Sequence, residues 1–127
     1  MTDVMIVDDQ APFRAVAGML VRVIDGWTVV AEAASGEEAV ERAIDKRPAV
    51  VLMDINLPGI SGLEATRRIV ERLPGTRVVL VSTYTAEDLP GDARDCGAVG
   101  YIRKEEITPV LLREVAAGPG LQLGEER

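Results

Sequence analysis

Three aspartates and one lysine follow apolar runs in this chain, and their side chains could do chemistry together. Asp8 and Asp9 come after the first such run, Asp54 after a later one, and Lys104 near the end of another. Two carboxylates about 5 Å apart repel by roughly 3 kcal/mol at an effective dielectric constant of about 20, so three of them together need a compensating cation. Mg²⁺ and Lys104 are the candidates, and we expect Mg²⁺ to be the cofactor.

A magnesium site of this composition would suit phosphoryl transfer. Mg²⁺ prefers oxygen ligands in octahedral geometry and usually keeps several waters. Asp9, Asp54 and the Asn56 carbonyl fit that preference, and Asp8 could act through a bound water. With a phosphodonor present, the metal would shield the charges of both reactants, and an Asp54 oxygen could attack phosphorus to give an acyl phosphate. Lys104 would then hold the new phosphoryl oxygens.

Five short runs rich in β-branched residues predict the strands that position these side chains. They cover residues 4–7, 28–32, 49–53, 77–81 and 99–102, and helical patterns fill the gaps between them. Alternating strands and helices give parallel strands joined by right-handed crossovers, and continuous apolar runs indicate a sheet covered on both faces. The predicted fold class is doubly wound α/β.

Four stretches carry clear helix signals. In the first, apolar residues recur three or four positions apart after Pro12 and predict the buried face: Phe13, Val16, Leu20 and Val23. Two more helices begin with a serine followed three residues later by a glutamate, the pattern of a capping box: Ser35 with Glu38, and Ser61 with Glu64. The last begins at Thr108-Pro109 and stops near Gly118.

The gap between the fourth and fifth predicted strands carries weaker signals. Pro90-Gly91 falls where a helix should begin, and few apolar residues follow it. We predict a short, loosely held fourth helix in this gap.

In a doubly wound sheet the ligand site lies beyond the carboxyl ends of the strands. Ser82 and Thr83 follow the fourth predicted strand there, and Ser82 could hold phosphoryl oxygens beside Lys104. Each piece alone has another explanation, since adjacent acids and serines are common in turns and caps, and Lys104 before Glu105 could belong to a solvated charged face. Their joint occurrence at successive strand ends favours a single pocket.

Four sequence blocks carry a family resemblance: VMIVDD at residues 4–9, VLMDINLPG at 51–59, VLVS at 79–82 and GAVGYIRK at 97–104. They resemble the receiver domains of two-component response regulators, and the resemblance spans residues 3–117. It implies a flavodoxin-like (βα)5 fold whose parallel five-stranded sheet has the order 2-1-3-4-5, an order known from chemotaxis receivers of this family. The order comes from the resemblance, whereas the alternation comes from the residues.

The resemblance also implies a role for each matching position. It makes Asp54 the phosphoacceptor, Asp8 and Asp9 the acidic metal pair, Ser82 the switch hydroxyl, Lys104 the phosphate-binding lysine and Tyr101 the switch aromatic. A tyrosine in a short strand is also often a half-buried packing residue. Two positions depart from the pattern: Thr83 replaces a small alanine or glycine, and Glu105 replaces a common proline.

The function implied is a phosphorylation-activated switch rather than an enzyme. A sensor histidine kinase would phosphorylate Asp54, and the phosphorylated state would pass through the face of helix 4, strand 5 and helix 5, where a homodimer could also form. We expect the output to be a transcriptional domain of the LuxR helix-turn-helix type, absent from this chain. The alternatives are a metal-dependent phosphatase, a nucleotide-binding module, which lacks support because Asp9 precedes no glycine-rich loop, and a receiver that only binds other proteins.

Composition narrows the remaining function classes. The chain has 127 residues, a net charge of −7, no histidine and one cysteine. The negative charge argues against direct nucleic-acid binding, and the absence of histidine excludes histidine-based catalysis. Without a secretory signal or a long apolar run, we expect no membrane association and a cytoplasmic location. We expect a receiver domain over residues 1–117 and a linker or flexible tail over 118–127.

Overall fold

The computed structural model describes residues 1–118. For Ala86 it describes the backbone alone. Most of the predicted tail, residues 119–127, lies outside the described residues. The elements in chain order are β1 (Thr2–Val7), α1 (Ala11–Arg22), β2 (Trp27–Ala33), α2 (Gly36–Lys46), β3 (Val50–Asp54), α3 (Gly62–Arg72), β4 (Arg77–Ser82), β5 (Gly100–Arg103) and α4 (Pro109–Ala116), with short 3-10 turns at Ala86–Asp88, Gly91–Asp95 and Lys104–Glu106.

The five strands form one sheet in the order β2-β1-β3-β4-β5, and every neighbouring pair is parallel. The predicted fold class and strand order are confirmed. β3 is buried along its whole length, which explains its continuous apolar run. One hydrophobic cluster packs the sheet against α2 and α3, and a second packs the opposite face against α1 and α4. The helices leave the carboxyl ends of the strands free to carry a site.

The predicted buried face of α1 is wrong for two of its four residues, Val16 and Val23. Val16 and Val23 are 49% and 69% exposed, whereas the helix buries its small residues Ala17 and Gly18 together with Val21. Phe13 packs against the edge of the second cluster. The small side chain of Ala17 lets the helix approach the sheet closely, so Ala17 and Val21 make the contact that larger apolar residues were predicted to fill.

Both predicted capping serines are confirmed. Ser35 Oγ accepts a hydrogen bond from the Glu38 N–H at 3.1 Å. The Glu38 carboxylate in turn accepts one from the backbone N–H of Ala34 rather than from that of the capping residue. Ser61 Oγ accepts the Glu64 N–H at 3.1 Å, but the Glu64 carboxylate pairs with arginines farther along α3. One hydrogen bond from each serine therefore fixes where α2 and α3 begin.

The predicted short fourth helix takes the form of 3-10 turns, and the described residues between β4 and β5 form no α-helix. The segment contains the 3-10 turns Ala86–Asp88 and Gly91–Asp95, separated by Leu89 and Pro90. Proline has no N–H to donate, and it disfavours the helical conformation in the residue before it, so neither turn extends. The face predicted as helix 4, strand 5 and helix 5 consists here of these turns, β5 and α4.

Candidate functional site

The carboxyl ends of four strands surround a cavity of about 230 Å³. Its walls come from the residues that end β3 and β4 and from the loops that follow β1, β3, β4 and β5: Asp9, Gln10, Asp54, Asn56, Ser82, Thr83 and Lys104. Of the predicted site residues, Asp8 lies behind this wall, fully buried, and Tyr101 lies to one side under the loop after β4. The predicted residues are therefore brought together at one edge of the sheet.

Asp54 ends β3 with its side chain facing this cavity and only 6% of its surface exposed. Its Oδ1 accepts the Asn56 N–H at 3.3 Å. Gly62 packs so closely that a Cβ there would collide with the Asp54 carbonyl oxygen, so this glycine lets the loop after β3 close. Burial, together with the charge of Asp8, raises the pKa of Asp54 to about 6, while Lys104 acts in the opposite direction.

Lys104 carries the positive charge that balances the acids. Its Nζ lies 2.6 Å from Asp8 Oδ2 and 3.7 Å from Asp54 Oδ2, and its side chain is 16% exposed. The other Asp8 oxygen, Oδ1, accepts the Gln10 N–H at 2.8 Å. The Lys104 ammonium also lies 4.5 Å from the centre of the Phe13 ring. Asp8 Oδ1 thus accepts a hydrogen bond, whereas the buried Oδ2 has the ion pair with Lys104 but no well-oriented hydrogen bond among the described residues, and Lys104 is closer to Asp8 than to Asp54.

The acids fit a hard divalent cation. One carboxylate oxygen each from Asp8, Asp9 and Asp54 lie within 4.8 Å of one another. Asp9 is exposed on the cavity wall, and Asn56 adds another oxygen donor nearby. Carboxylates around a water-accessible cavity are the ligands that Mg²⁺ takes while keeping part of its hydration shell. The residues present therefore fit Mg²⁺.

Ser82 and the loop after β4 form the other wall. Ser82 is 1% exposed, and its Oγ accepts the Tyr84 N–H at 3.1 Å, a bond that leaves the hydroxyl proton unused. The Tyr101 hydroxyl donates towards the backbone carbonyl oxygens of Ser82, at 3.2 Å, and of Tyr84. Burial raises the pKa of Tyr101, which keeps this donor protonated. Ser82, Tyr84 and Tyr101 are thereby joined through the loop backbone.

The two departures from the family pattern have defined positions. Thr83 is exposed and lines the cavity, so its branched side chain narrows the opening. Glu105 turns to Arg103, with its Oε2 at 2.7 Å from the guanidinium, and therefore does not pair with Lys104 in this arrangement.

Sequence reasoning missed four residues that shape the site: Gln10, Phe13, Arg14 and Gly62. The Gln10 N–H donates to Asp8 Oδ1, and the Arg14 guanidinium donates to the Asp8 carbonyl oxygen at 2.6 Å. Their nearness to Asp8-Asp9 was a signal for Gln10 and Arg14, because residues one turn into a helix stay close to its start. No local pattern predicts the other two contacts. Phe13 contacts Lys104 from a distant part of the chain, and Gly62 approaches Asp54 across the loop that follows β3.

A larger cavity, about 330 Å³, lies at the opposite, amino-terminal end of the sheet. Asp3 and Arg47 are the charged residues in its wall, and it has no cluster of acids. Size alone therefore does not identify the site, and the chemistry of the lining residues favours the smaller cavity.

Comparison with known proteins identifies the family. The model of the response regulator receiver domain matches residues 4–116. The chain belongs to the response regulator receiver family. It is 42% identical over 119 residues to the transcriptional activator protein ExaE of Pseudomonas putida, covering 91% of this chain and 55% of ExaE. It is 40% identical over 104 residues to the response regulator GacA of Pseudomonas viridiflava, covering 82% of this chain and 49% of GacA.

Solved receivers have the same fold. The structure of a LuxR-family response regulator from Aurantimonas sp. SI85-9A1 superposes with a TM-score of 0.85 at 30% identity, covering 98% of this chain and 91% of that one. The response regulator domain of Thermotoga maritima CheB gives a TM-score of 0.78 at 31% identity, covering 91% and 93% of the two chains.

This receiver is thus a domain of a two-component response regulator, and it spans about half the length of the curated relatives that it matches. Receivers are usually signalling modules rather than enzymes, and they typically bind Mg²⁺ at an acidic pocket like the one described above. No helix within residues 1–118 combines the length and apolar character needed to cross a membrane.

Proposed function

We propose that this receiver accepts a phosphoryl group on Asp54 from a sensor histidine kinase and acts as a signalling switch. The observation that carries the proposal is the environment of Asp54. Its carboxylate is almost buried at the end of a central strand, yet it faces a cavity that also holds a lysine, a hydroxyl and an exposed acid. A carboxylate in such a place can react with a donor that enters the cavity.

In the transfer step, an Asp54 carboxylate oxygen forms a bond to phosphorus as the bond to the phosphohistidine nitrogen of the kinase breaks. The imidazole leaves with that electron pair and takes a proton. Lys104, already 3.7 Å from Asp54 Oδ2, meets the negative charge of the phosphoryl oxygens. Ser82 donates its unused hydroxyl proton to the same group. Asp9, Asp54 and Asn56 would hold Mg²⁺, with Asp8 acting behind them, and the ion would neutralise charge between donor and acceptor.

Phosphorylation would change the loop after β4. A phosphoryl group on Asp54 adds charge and acceptor oxygens, and the attraction of Ser82 to them would draw Thr83 and the following loop inward. Tyr101 contacts the backbone of the same loop, so its ring would move with it. The 3-10 turns beyond the loop, β5 and α4 form the surface that would report the change.

The partners follow from this switch. The kinase is the donor, and the surface of turns, β5 and α4 could mediate a homodimer. ExaE is a transcriptional activator, and one structural neighbour is a LuxR-family regulator, which support a helix-turn-helix output domain attached to a receiver of residues 1–117 through a linker at 118–127. The receiver would catalyse only its own phosphorylation and dephosphorylation, and the cytoplasmic location stays a prediction.

The test is phosphorylation in vitro with intact-mass readout. Wild-type protein, Asp54→Ala and Asp45→Ala are incubated with Mg²⁺ and phosphoramidate. Asp45 is an exposed acid on α2 and serves as the matched control. We expect one phosphate-sized mass gain in wild type and Asp45→Ala, none in Asp54→Ala, and loss of the gain on treatment with hydroxylamine, which cleaves acyl phosphates. No gain in wild type would contradict the proposal and favour a receiver that only binds proteins.

A further inference from the structure

Phe13 is an aromatic residue whose ring lies against the ammonium group that serves the site. It stands in the first turn of α1, directly after Pro12, and its N–H donates to the Gln10 carbonyl oxygen at 3.0 Å. The ring packs at the edge of the second hydrophobic cluster, and its centre lies 4.5 Å from Lys104 Nζ. The face of an aromatic ring attracts a cation within about 6 Å.

Lys104 gains a further partner if Asp54 is phosphorylated. In this structure its ammonium pairs with Asp8 at 2.6 Å and lies 3.7 Å from Asp54 Oδ2. The ammonium has three N–H donors, so it can hold a phosphoryl oxygen as well as Asp8, but reaching towards Asp54 stretches its 2.6 Å pairing with Asp8 and leaves its position less fixed by that carboxylate. A lysine side chain has many rotamers, which favours swinging into solvent. The Phe13 ring is uncharged and its attraction for the ammonium does not depend on either carboxylate.

We propose that Phe13 is a positioning residue for phosphoryl transfer, acting through a cation–π contact that keeps the Lys104 ammonium between Asp8 and Asp54. This inference rests on the proposed function. The ring covers the ammonium from the side of α1, so Lys104 reaches towards the phosphoryl group without leaving the cavity wall. Removal of the ring disturbs the position of Lys104 more during phosphoryl transfer than in the unphosphorylated protein, because Asp8 holds the lysine in the unphosphorylated protein.

The test compares Phe13→Leu, which keeps apolar bulk, with Phe13→Tyr, which keeps the aromatic face. Phosphorylation by phosphoramidate and Mg²⁺ is followed by intact mass in the full chain. We expect Phe13→Leu to slow phosphorylation about threefold to tenfold and Phe13→Tyr to stay within about twofold of wild type. In a Lys104→Met background, Phe13→Leu should cause no further loss, since the contact is already absent.

A spectroscopic readout separates positioning from packing. The ring current of Phe13 should shift the NMR signals of the Lys104 ε-methylene protons upfield in wild type and Phe13→Tyr, and the shift should disappear in Phe13→Leu. An unchanged rate in Phe13→Leu, or an equal loss in the Lys104→Met background, overturns the inference while leaving the proposed function standing. A wild-type protein that gains no phosphate overturns the proposed function and this inference together.

Discussion

Replacing Asp54 with asparagine should stabilise the metal-free receiver at neutral pH. The carboxylate is almost buried and close to Asp8, which raises its pKa from an ordinary 3.8 to about 6. Between these two values the native protein keeps a proton that the unfolded chain has released. Stability therefore falls as the pH rises from about 4 to about 6, and the loss is complete above that range. Asparagine has nearly the same shape as aspartate and no charge to bury, so the Asp54→Asn variant does not lose stability in this pH range.

The size of the effect follows from the pKa difference. About 1.4 kcal/mol per pKa unit gives a gain of roughly 3 kcal/mol for Asp54→Asn above pH 6, and little difference near pH 4. For a domain of this size, that gain raises the unfolding midpoint by roughly 10 °C. Mg²⁺ at ten times its dissociation constant should stabilise wild type by about 1.4 kcal/mol. It should therefore narrow the difference in stability between Asp54→Asn and wild type.

The assay is urea unfolding followed by circular dichroism, at several pH values, with and without Mg²⁺. Asp45→Asn changes an exposed carboxylate on α2 and should alter the free energy of unfolding by less than about 0.5 kcal/mol at any pH. An advantage of Asp54→Asn that is the same at pH 4 and pH 7.5, or an Asp54→Asn variant less stable than wild type, would refute the reasoning.

Three further predictions concern the surroundings of the site. Gly62→Ala should lower the free energy of unfolding by about 1 to 3 kcal/mol because its Cβ meets the Asp54 backbone, whereas Gly75→Ala, with open space around it, should be nearly neutral in the same unfolding experiment. Thr83→Ala should speed loss of the phosphoryl group about threefold by widening the approach for water, and equal dephosphorylation rates by mass would contradict this. Amides of residues 86–97 should exchange hydrogen faster than those of β3, because 3-10 turns have poor hydrogen-bond geometry; equal protection by mass spectrometry would refute it.

Sequence reasoning located the fold well because its signals are local. β-branched runs mark the strands, and Ser35 and Ser61 mark two helix starts, each through a bond to a residue three positions away. The site could be predicted too, because parallel strands bring their carboxyl ends to one edge. Tertiary contacts caused the failures. Ala17 packs into the core from α1 although larger apolar residues lie on the same helix, and Phe13 contacts Lys104, which is far away in the sequence.

The strand β4 connects two distant points of the domain. At its carboxyl end is Ser82, and at its amino end the Arg77 guanidinium donates to the carbonyl oxygens of Ala116 and Gly118, where the described chain leaves α4. Six residues of strand span about 20 Å. A force that pulls on Gly118 would therefore act on β4 through Arg77. The hydrogen bonds that join β4 to β3 and β5 would resist this force as shear. Gly118 is thus anchored to the strand that ends at the reactive pocket, but at its far end.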